Sequence, residues 1–379
     1  MSSAAPEPRD TVWSRLKQDW ESFTATVRSE WKELTDRLNS SGRWNSALVR
    51  ESNEVTDFYL TAAQHERLKT MRQFEQVLYK TGWVFRAMFE RLRPERRLLA
   101  LAGIFLQFFN DQNNNNSLIG SLFLVLVIML ELKDKLMAHD ELAAGRKIQQ
   151  SLMPPRMPSV PGWELWLFTR SANEVCGDLI DFIPGTEGRS AVVMADVSGK
   201  GLHAALITTK LQATIRALAG EIGSLPVLIA RINTIVHRDS PSHIFASLVY
   251  AEITEQHGTV RYVNAGHYPA LIIRGTGHEE CPKGEPALGL ARSVPYTEQS
   301  IGLQPGDAFV LYSDGLTEAK NAQGDFFGKE RLVSLLTASA GNAEQTGNGV
   351  LREVERFCGM AAATDDLSLI ILRRTGASV

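Results

Sequence analysis

The stretch Ser190-Ala191-Val192-Val193-Met194-Ala195-Asp196-Val197-Ser198-Gly199-Lys200-Gly201 decides how the second half of the chain folds. Its first part is an unbroken run of small, β-branched and other apolar residues, which suits a buried strand. The run meets Asp196, and Ser198-Gly199-Lys200-Gly201 supplies a turn before helical periodicity begins at Leu202. An aspartate where a buried strand meets a glycine turn lies at a sheet edge, where side chains from separate strands converge. Gly199-Lys200 is not the end of a phosphate-binding P-loop, because that pattern needs a glycine where Met194 stands.

Three further acidic motifs lie at the ends of apolar runs: Gly177-Asp178-Leu179-Ile180-Asp181, Ser313-Asp314-Gly315 and Thr364-Asp365-Asp366-Leu367. From Pro155 onward, short β-like runs punctuated by glycine occupy 164–168, 179–183, 190–196, 245–253, 260–263, 270–273, 308–312 and 367–372. Helical periodicity covers 202–218, 225–236, 329–339 and 347–357. Strands outnumber helices without strict alternation, which predicts an antiparallel α+β layering rather than a doubly wound parallel sheet.

The first 150 residues differ in kind, with 5 of the 29 glycines and 3 of the 15 prolines. From Thr11 to Leu92 there is no proline, and Trp13, Leu16, Trp20, Phe23, Val27, Trp31, Leu34 and Leu38 recur at steps of three and four. A second stripe runs Leu68, Met71, Phe74, Leu78, Phe85, Met88 and Leu92. Both predict helices packing on each other or on a partner copy, with a Trp-rich face on a bilayer as the alternative. Residues 1–12 have no apolar core and do not read as a signal peptide.

Two apolar runs follow, Leu98–Phe109 and Leu118–Leu130, separated by a polar loop with the tract Asn113–Asn116. Each is shorter than the ~20 residues that cross a bilayer. Arg91, Arg93, Arg96 and Arg97 precede the first run and Lys133 and Lys135 follow the second, while the loop carries no basic residue. That asymmetry predicts a helical hairpin, membrane-spanning or re-entrant, with both ends cytoplasmic. A hairpin buried in a soluble dimer is the alternative. The charged helix after it ends at Met153-Pro154-Pro155. The expected organisation is thus a helical input and dimerisation region over 1–97, the hydrophobic hairpin over 98–132, a linker helix over 133–154 and a catalytic domain over 155–375.

With 40 basic and 43 acidic residues, the chain has no strongly cationic character, and nucleic acid is not an expected partner. Its 3 cysteines have no metal-ligand spacing. Carboxylates converging in a partly buried pocket repel one another unless cations neutralise them. Oxygen donors without His or Cys suit Mg²⁺ or Mn²⁺, and two such ions about 3.5–4 Å apart activate a bridging water for in-line phosphoryl displacement.

At these residues the sequence resembles the bacterial PPM metallophosphatases of the SpoIIE/RsbU branch, relatives of protein phosphatase 2C. Cys176-Gly177-Asp178 is similar to the family's Gly-Gly-Asp, with Cys176 replacing a glycine. Asp196 to Gly201 is similar to its Asp-Val-Ser-Gly-His/Lys-Gly, Asn264-Ala265-Gly266-His267 to its Asn-Ala-Gly-His turn, and Tyr312-Ser313-Asp314-Gly315 with Asp365-Asp366 completes the order. The resemblance implies a PPM-type β-sandwich with helices on both faces (α-β-β-α), preceded by the all-helical region and its hairpin. It implies two Mg²⁺ or Mn²⁺ ions held by Asp178, Asp196, Asp314 and Asp365, with Asp196 bridging and the Val197 carbonyl as a further ligand. Asp181, Asp366, Lys200 and His267 are expected around them: Asp181 and Asp366 orienting waters, Lys200 attracting phosphate, and His267 holding its turn, with a catalytic acid as the alternative for His267.

The resulting expectation is a protein serine/threonine phosphatase using a metal-activated water on a phosphorylated regulatory protein. By resemblance, that partner is an anti-sigma-factor antagonist phosphorylated on serine. The N-terminal helices are expected to control the enzyme, as a homodimer at the cell membrane with its catalytic domain cytoplasmic, or as a cytoplasmic protein. The alternative is an inactive phosphoprotein-binding scaffold that dimerises through the same helices.

Overall fold

The computed structural model describes Thr56 and residues 59–108, 116–185, 188–241, 243–255 and 258–375. The stripe from Trp13 to Leu38 lies outside the described residues, as does most of the polar loop between the apolar runs. The chain divides into two compact units, Met1–Leu132 and Lys133–Val379.

In the first unit the described residues form α1 (Ala62–Lys69), α2 (Gln73–Arg91), α3 (Pro94–Phe108) and the start of α4 (Asn116–Leu152). Thr61 caps α1 reciprocally with Gln64, and Pro94 opens α3 where its missing N–H costs nothing. α3 and α4 meet closely at two glycines: a Cβ on Gly103 would stand 2.9 Å from the Gly120 carbonyl oxygen, and one on Gly120 2.7 Å from that of Gly103. Gln107 donates to the Ser117 carbonyl at 3.1 Å and to the Ser121 hydroxyl at 2.6 Å, and buried Arg96 pairs with Glu131 at 2.7 Å.

The membrane-spanning form of the expected hairpin is not supported. Among the described residues no helix is long and apolar enough to cross a membrane. The 15 residues of α3 span about 22 Å at a rise of ~1.5 Å per residue, and the apolar part of α4 ends at Glu131, Lys133, Asp134 and Lys135. The second apolar run and the expected linker share one continuous helix, α4, of 37 residues, and the boundary between the two compact units falls within it, after Leu132. A change from apolar to charged residues alters the surface of a helix without interrupting its backbone hydrogen bonds.

The second unit holds two antiparallel sheets. Its strands are β1 (Ser159–Val160), β2 (Trp163–Arg170), β3 (Asp178–Pro184), β4 (Arg189–Val197), β5 (Ala246–Thr254), β6 (Thr259–Ala265), β7 (Leu271–Arg274), β8 (Gly277–Glu280), β9 (Gln299–Gly302), β10 (Ala308–Tyr312) and β11 (Leu367–Arg374). One sheet has the order β1-β2-β11-β10-β7-β8 and the other β3-β4-β5-β6-β9. The helices are α5 (Leu202–Ala219), α6 (Leu225–Asp239), the short α7 (Asp314–Thr317), α8 (Lys329–Ala338) and α9 (Ala343–Cys358).

Strand parity builds the layers. Even-numbered Ile180, Val192, Met194, Ile370 and Leu372 pack between the sheets with odd-numbered Leu165, Leu167, Phe309 and Leu311. The opposite parity of β4, Val193 and Ala195, packs against Leu211 and Ile215 of α5 and Leu228 and Ile232 of α6. On the other outer face, Trp166, Val310, Leu369 and Ile371 meet Leu332 and Leu336 of α8 and Val350 and Val354 of α9. The order of layers is therefore α-β-β-α. Three buried layers of apolar contacts explain why β4 and β11 carry no polar alternation over most of their length.

Candidate active site

Antiparallel pairing brings the acidic motifs to one edge. β3 begins at Asp178, β4 closes on Asp196 and Val197, β10 ends just before Ser313-Asp314, and β11 begins just after Asp365-Asp366. Asp178 and Asp196 are direct partners in the β3–β4 register. Within the other sheet the ends of β10 and β11 meet at backbone distance: a Cβ on Gly315 would lie 2.0 Å from the Asp366 carbonyl oxygen, so that position accepts no side chain.

The carboxylates differ in environment. Asp178 is buried, and burial raises its pKa well above the usual value; the charges of Asp196 and Asp366 push the same way, against the hydrogen bond from Ser368. That hydroxyl donates to Asp178 at 2.5 Å and lies 2.8 Å from the Thr169 hydroxyl. Asp196 is raised to about 6, first by burial and then by Asp314, Asp365 and Asp366, with Lys200 opposing. Asp314 is raised by burial and by Asp365. Asp365 is exposed and takes the Lys200 ammonium at 2.9 Å; the same ammonium donates to the Thr364 carbonyl at 2.8 Å. The Val197 carbonyl lies 3.6 Å from where a Cβ on Gly177 would stand, beside the start of β3.

Asp366 has a different task from its neighbour. It accepts the backbone N–H of Ala172 at 2.8 Å, of Gly177 at 2.6 Å and of Asp178 at 3.4 Å, and the Ser171 hydroxyl at 3.3 Å. It thereby ties the turn before Asp178 to the start of β11. Asp181 does not join the cluster. Three residues beyond Asp178 on one strand, it faces the helix layer, where Arg216 of α5 grips both its oxygens at 2.7 and 2.8 Å. His267 is buried, and burial lowers its pKa to about 4, so it is neutral near pH 7. Its backbone N–H donates to Asn264 at 2.8 Å and its ring lies 2.7 Å from the Ser247 hydroxyl, the contacts of a residue that holds a turn.

Sequence reasoning missed Ser368, Thr169 and Gln149. Ser368 was detectable as the one hydroxyl in the apolar run Leu367–Leu372. Gln149, near the end of α4, both accepts the Cys176 N–H and donates to the Cys176 carbonyl at 3.0 Å. Gln212 and Arg216 of α5 donate to the Leu152 carbonyl at 3.0 and 2.9 Å, fastening the end of α4 beside that clamp.

Hard oxygen donors from both sheets, with the proton affinities of Asp178, Asp196 and Asp314 raised by burial and then by neighbouring charges, fit divalent cations in chemistry. Among the described residues, no three His, Cys, Asp or Glu side chains close around one point in this conformation.

A sandwich of two antiparallel sheets between helix layers, with aspartates from both sheets at one edge, gives the C-terminal unit the architecture of a PP2C-type domain. The family model for Stage II sporulation protein E (SpoIIE) matches residues 186–375, and the chain belongs to that family. It is 26% identical over 242 residues to the phosphoserine phosphatase RsbU of Bacillus subtilis, covering 62% of this chain and 70% of that protein. It is also 26% identical over 262 residues to protein IcfG of Synechocystis, covering 62% of this chain and 41% of that one. The chain thus matches less than half the length of IcfG. Among solved structures, the PP2C domain of SiaA from Pseudomonas aeruginosa shares the fold at TM-score 0.55 and 19% identity, over 63% of this chain and 98% of that one. The phosphatase domain of SpoIIE from Bacillus subtilis does so at 0.51 and 17%, over 57% and 64%.

Proposed function

We propose that this protein is a Mg²⁺- or Mn²⁺-dependent protein phosphatase that hydrolyses phosphoserine or phosphothreonine on a regulatory protein. The observation that supports this is that Asp178, Asp196, Asp314 and Asp365 stand at strand ends of two sheets on one edge, where burial and neighbouring charges disfavour the charged forms of Asp178, Asp196 and Asp314. These four, with the Val197 carbonyl, are the proposed ligands. Divalent ions, when bound, supply the Lewis acidity for direct hydrolysis of a phosphomonoester. The chain's own residues orient and neutralise: Ser368 holds Asp178, Asp366 holds the preceding turn, and Lys200 places a positive charge at the rim where a phosphoryl group enters.

The same reading covers substrate and control. RsbU, the relative with the greater share of its length matched, is named a phosphoserine phosphatase, which supports a phosphoserine substrate. The clamp of Gln149 on Cys176, two residues before Asp178, supports control of the site through α4. Exposed Leu98, Leu122 and Ile128 support a homodimer formed through the N-terminal helices.

The deciding experiment is release of phosphate from a phosphoserine peptide by the full chain with Mn²⁺. Loss of release on Asp196→Asn or with excess chelator supports the reading. Release that survives Asp196→Asn, or a wild type that never releases phosphate, overturns it in favour of a phosphoprotein-binding scaffold.

A further inference from the structure

A cavity of about 310 Å³ opens beside the aspartate edge. Its wall is the end of α9 and the following loop, with Val354, Cys358 and the run Ala361-Ala362-Ala363, and Leu367 of β11 lies behind them. Asp365 and Gly315 belong to both the cavity and the carboxylate edge, so the two adjoin. The rim carries two cations. Arg170 is paired with Glu355 at 2.7 Å. The Lys320 ammonium stands 5.3 Å from the Phe326 ring centroid and has no carboxylate partner among the described residues.

Apart from Asp365 at its edge, the proposed hydrolysis uses no residue of this cavity, and its volume is that of a small ligand site. Its alanine wall leaves room for a side chain from another molecule. One residue of extended polypeptide advances by about 3.3–3.6 Å, so residues within two or three of a phosphoserine reach it.

We propose that this cavity is a specificity subsite for the substrate polypeptide. It takes an apolar side chain close to the phosphoserine against Ala361–Ala363, with an acidic residue of the same segment directed to Lys320. The proposal rests on the phosphatase reading and adds to it the sequence class of the substrate.

The test uses the full chain with Mn²⁺ and phosphoserine decapeptides carrying Leu, Asp, Gly or Lys at each of the three positions on either side of the phosphoserine. Peptides with Leu and Asp at the preferred positions are expected to have KM values about tenfold below their Gly or Lys counterparts, a difference of ~1.4 kcal/mol. Ala361→Phe, which fills the cavity, and Lys320→Glu are expected to erase that preference. Turnover of p-nitrophenyl phosphate, which has no flanking residues, is expected to change less than about twofold. A second filling variant, Ala363→Phe, serves if the first does not fold. Equal KM values across the peptides, or equal losses for peptide and p-nitrophenyl phosphate in the filled variants, overturn the proposal. If the wild type hydrolyses neither substrate, the phosphatase reading falls, and anisotropy of the same peptides labelled with a fluorophore still tests the subsite: Leu/Asp preference lost in Ala361→Phe supports it, and its absence sinks it.

Discussion

Asp178 and Asp196 stand directly opposite each other across β3 and β4, and the charge of Asp196 adds to burial in raising the pKa of Asp178. Like charges facing one another across a strand pair are destabilising. The edge therefore trades stability for closely placed carboxylates.

Replacing Asp196 by Asn should expose that trade. Asp196 binds its proton more tightly folded than unfolded, with a pKa of about 6 against the usual 3.8. Its favourable contribution is complete below the unfolded value and is lost as pH rises through about 6. Without metal, Asp196→Asn is expected to be more stable than wild type by about 1–3 kcal/mol at pH 7, with the difference vanishing toward pH 4. Urea unfolding in chelator at both pH values checks this, and phosphate release from a phosphoserine peptide should be abolished in the same variant.

Ser368→Ala removes the hydroxyl that opposes the raised proton affinity of Asp178. A cost of about 1–2 kcal/mol in stability is expected. The Mn²⁺ affinity should fall and the acid limb of the pH profile should move upward. Calorimetric Mn²⁺ titration checks this, and Ser368→Thr should recover part of the loss.

Arg216→Met leaves Asp181 almost fully buried without its partner. Destabilisation of roughly 3 kcal/mol is expected from the unpaired charge. Because Asp181 faces the helix layer, kcat per folded molecule should change far less than the urea midpoint. A large fall in kcat with an unchanged midpoint would show that Asp181 serves the carboxylate edge after all.

Gly315→Ala drives a methyl group into the Asp366 backbone, where 2.0 Å is available. The strand start carrying Asp365 must shift, and loss of most phosphatase activity is expected. Gly347→Ala, whose methyl would meet the Trp166 ring at 2.3 Å, is a remote comparison that should lower the melting temperature while sparing Mn²⁺ binding.

Much of the site was legible in the linear chain. Apolar runs closing on Asp178, Asp196, Asp314 and Asp365 mark strand ends because a strand exposes its charges where it leaves the core. Asp181 was legible too, since an odd separation from Asp178 along a strand puts the two on opposite faces, but adjacency in sequence suggested otherwise. The continuity of α4 followed from the lack of any proline between Asn116 and Met153. Its change from apolar to charged residues falls where the two compact units divide, between Leu132 and Lys133, without interrupting the helix.

Local sequence settled what depends on neighbours along the chain: periodicity, turns, and the antiparallel α+β class. Pairing between distant segments settled the rest. Ser368 reaches Asp178 from 190 residues away, Asp366 holds the Gly177 N–H from 189, and Arg216 neutralises Asp181 from 35. Which aspartate gathers ligands and which one ties a turn depends on the partners each meets, and those come from the register of two sheets folded face to face.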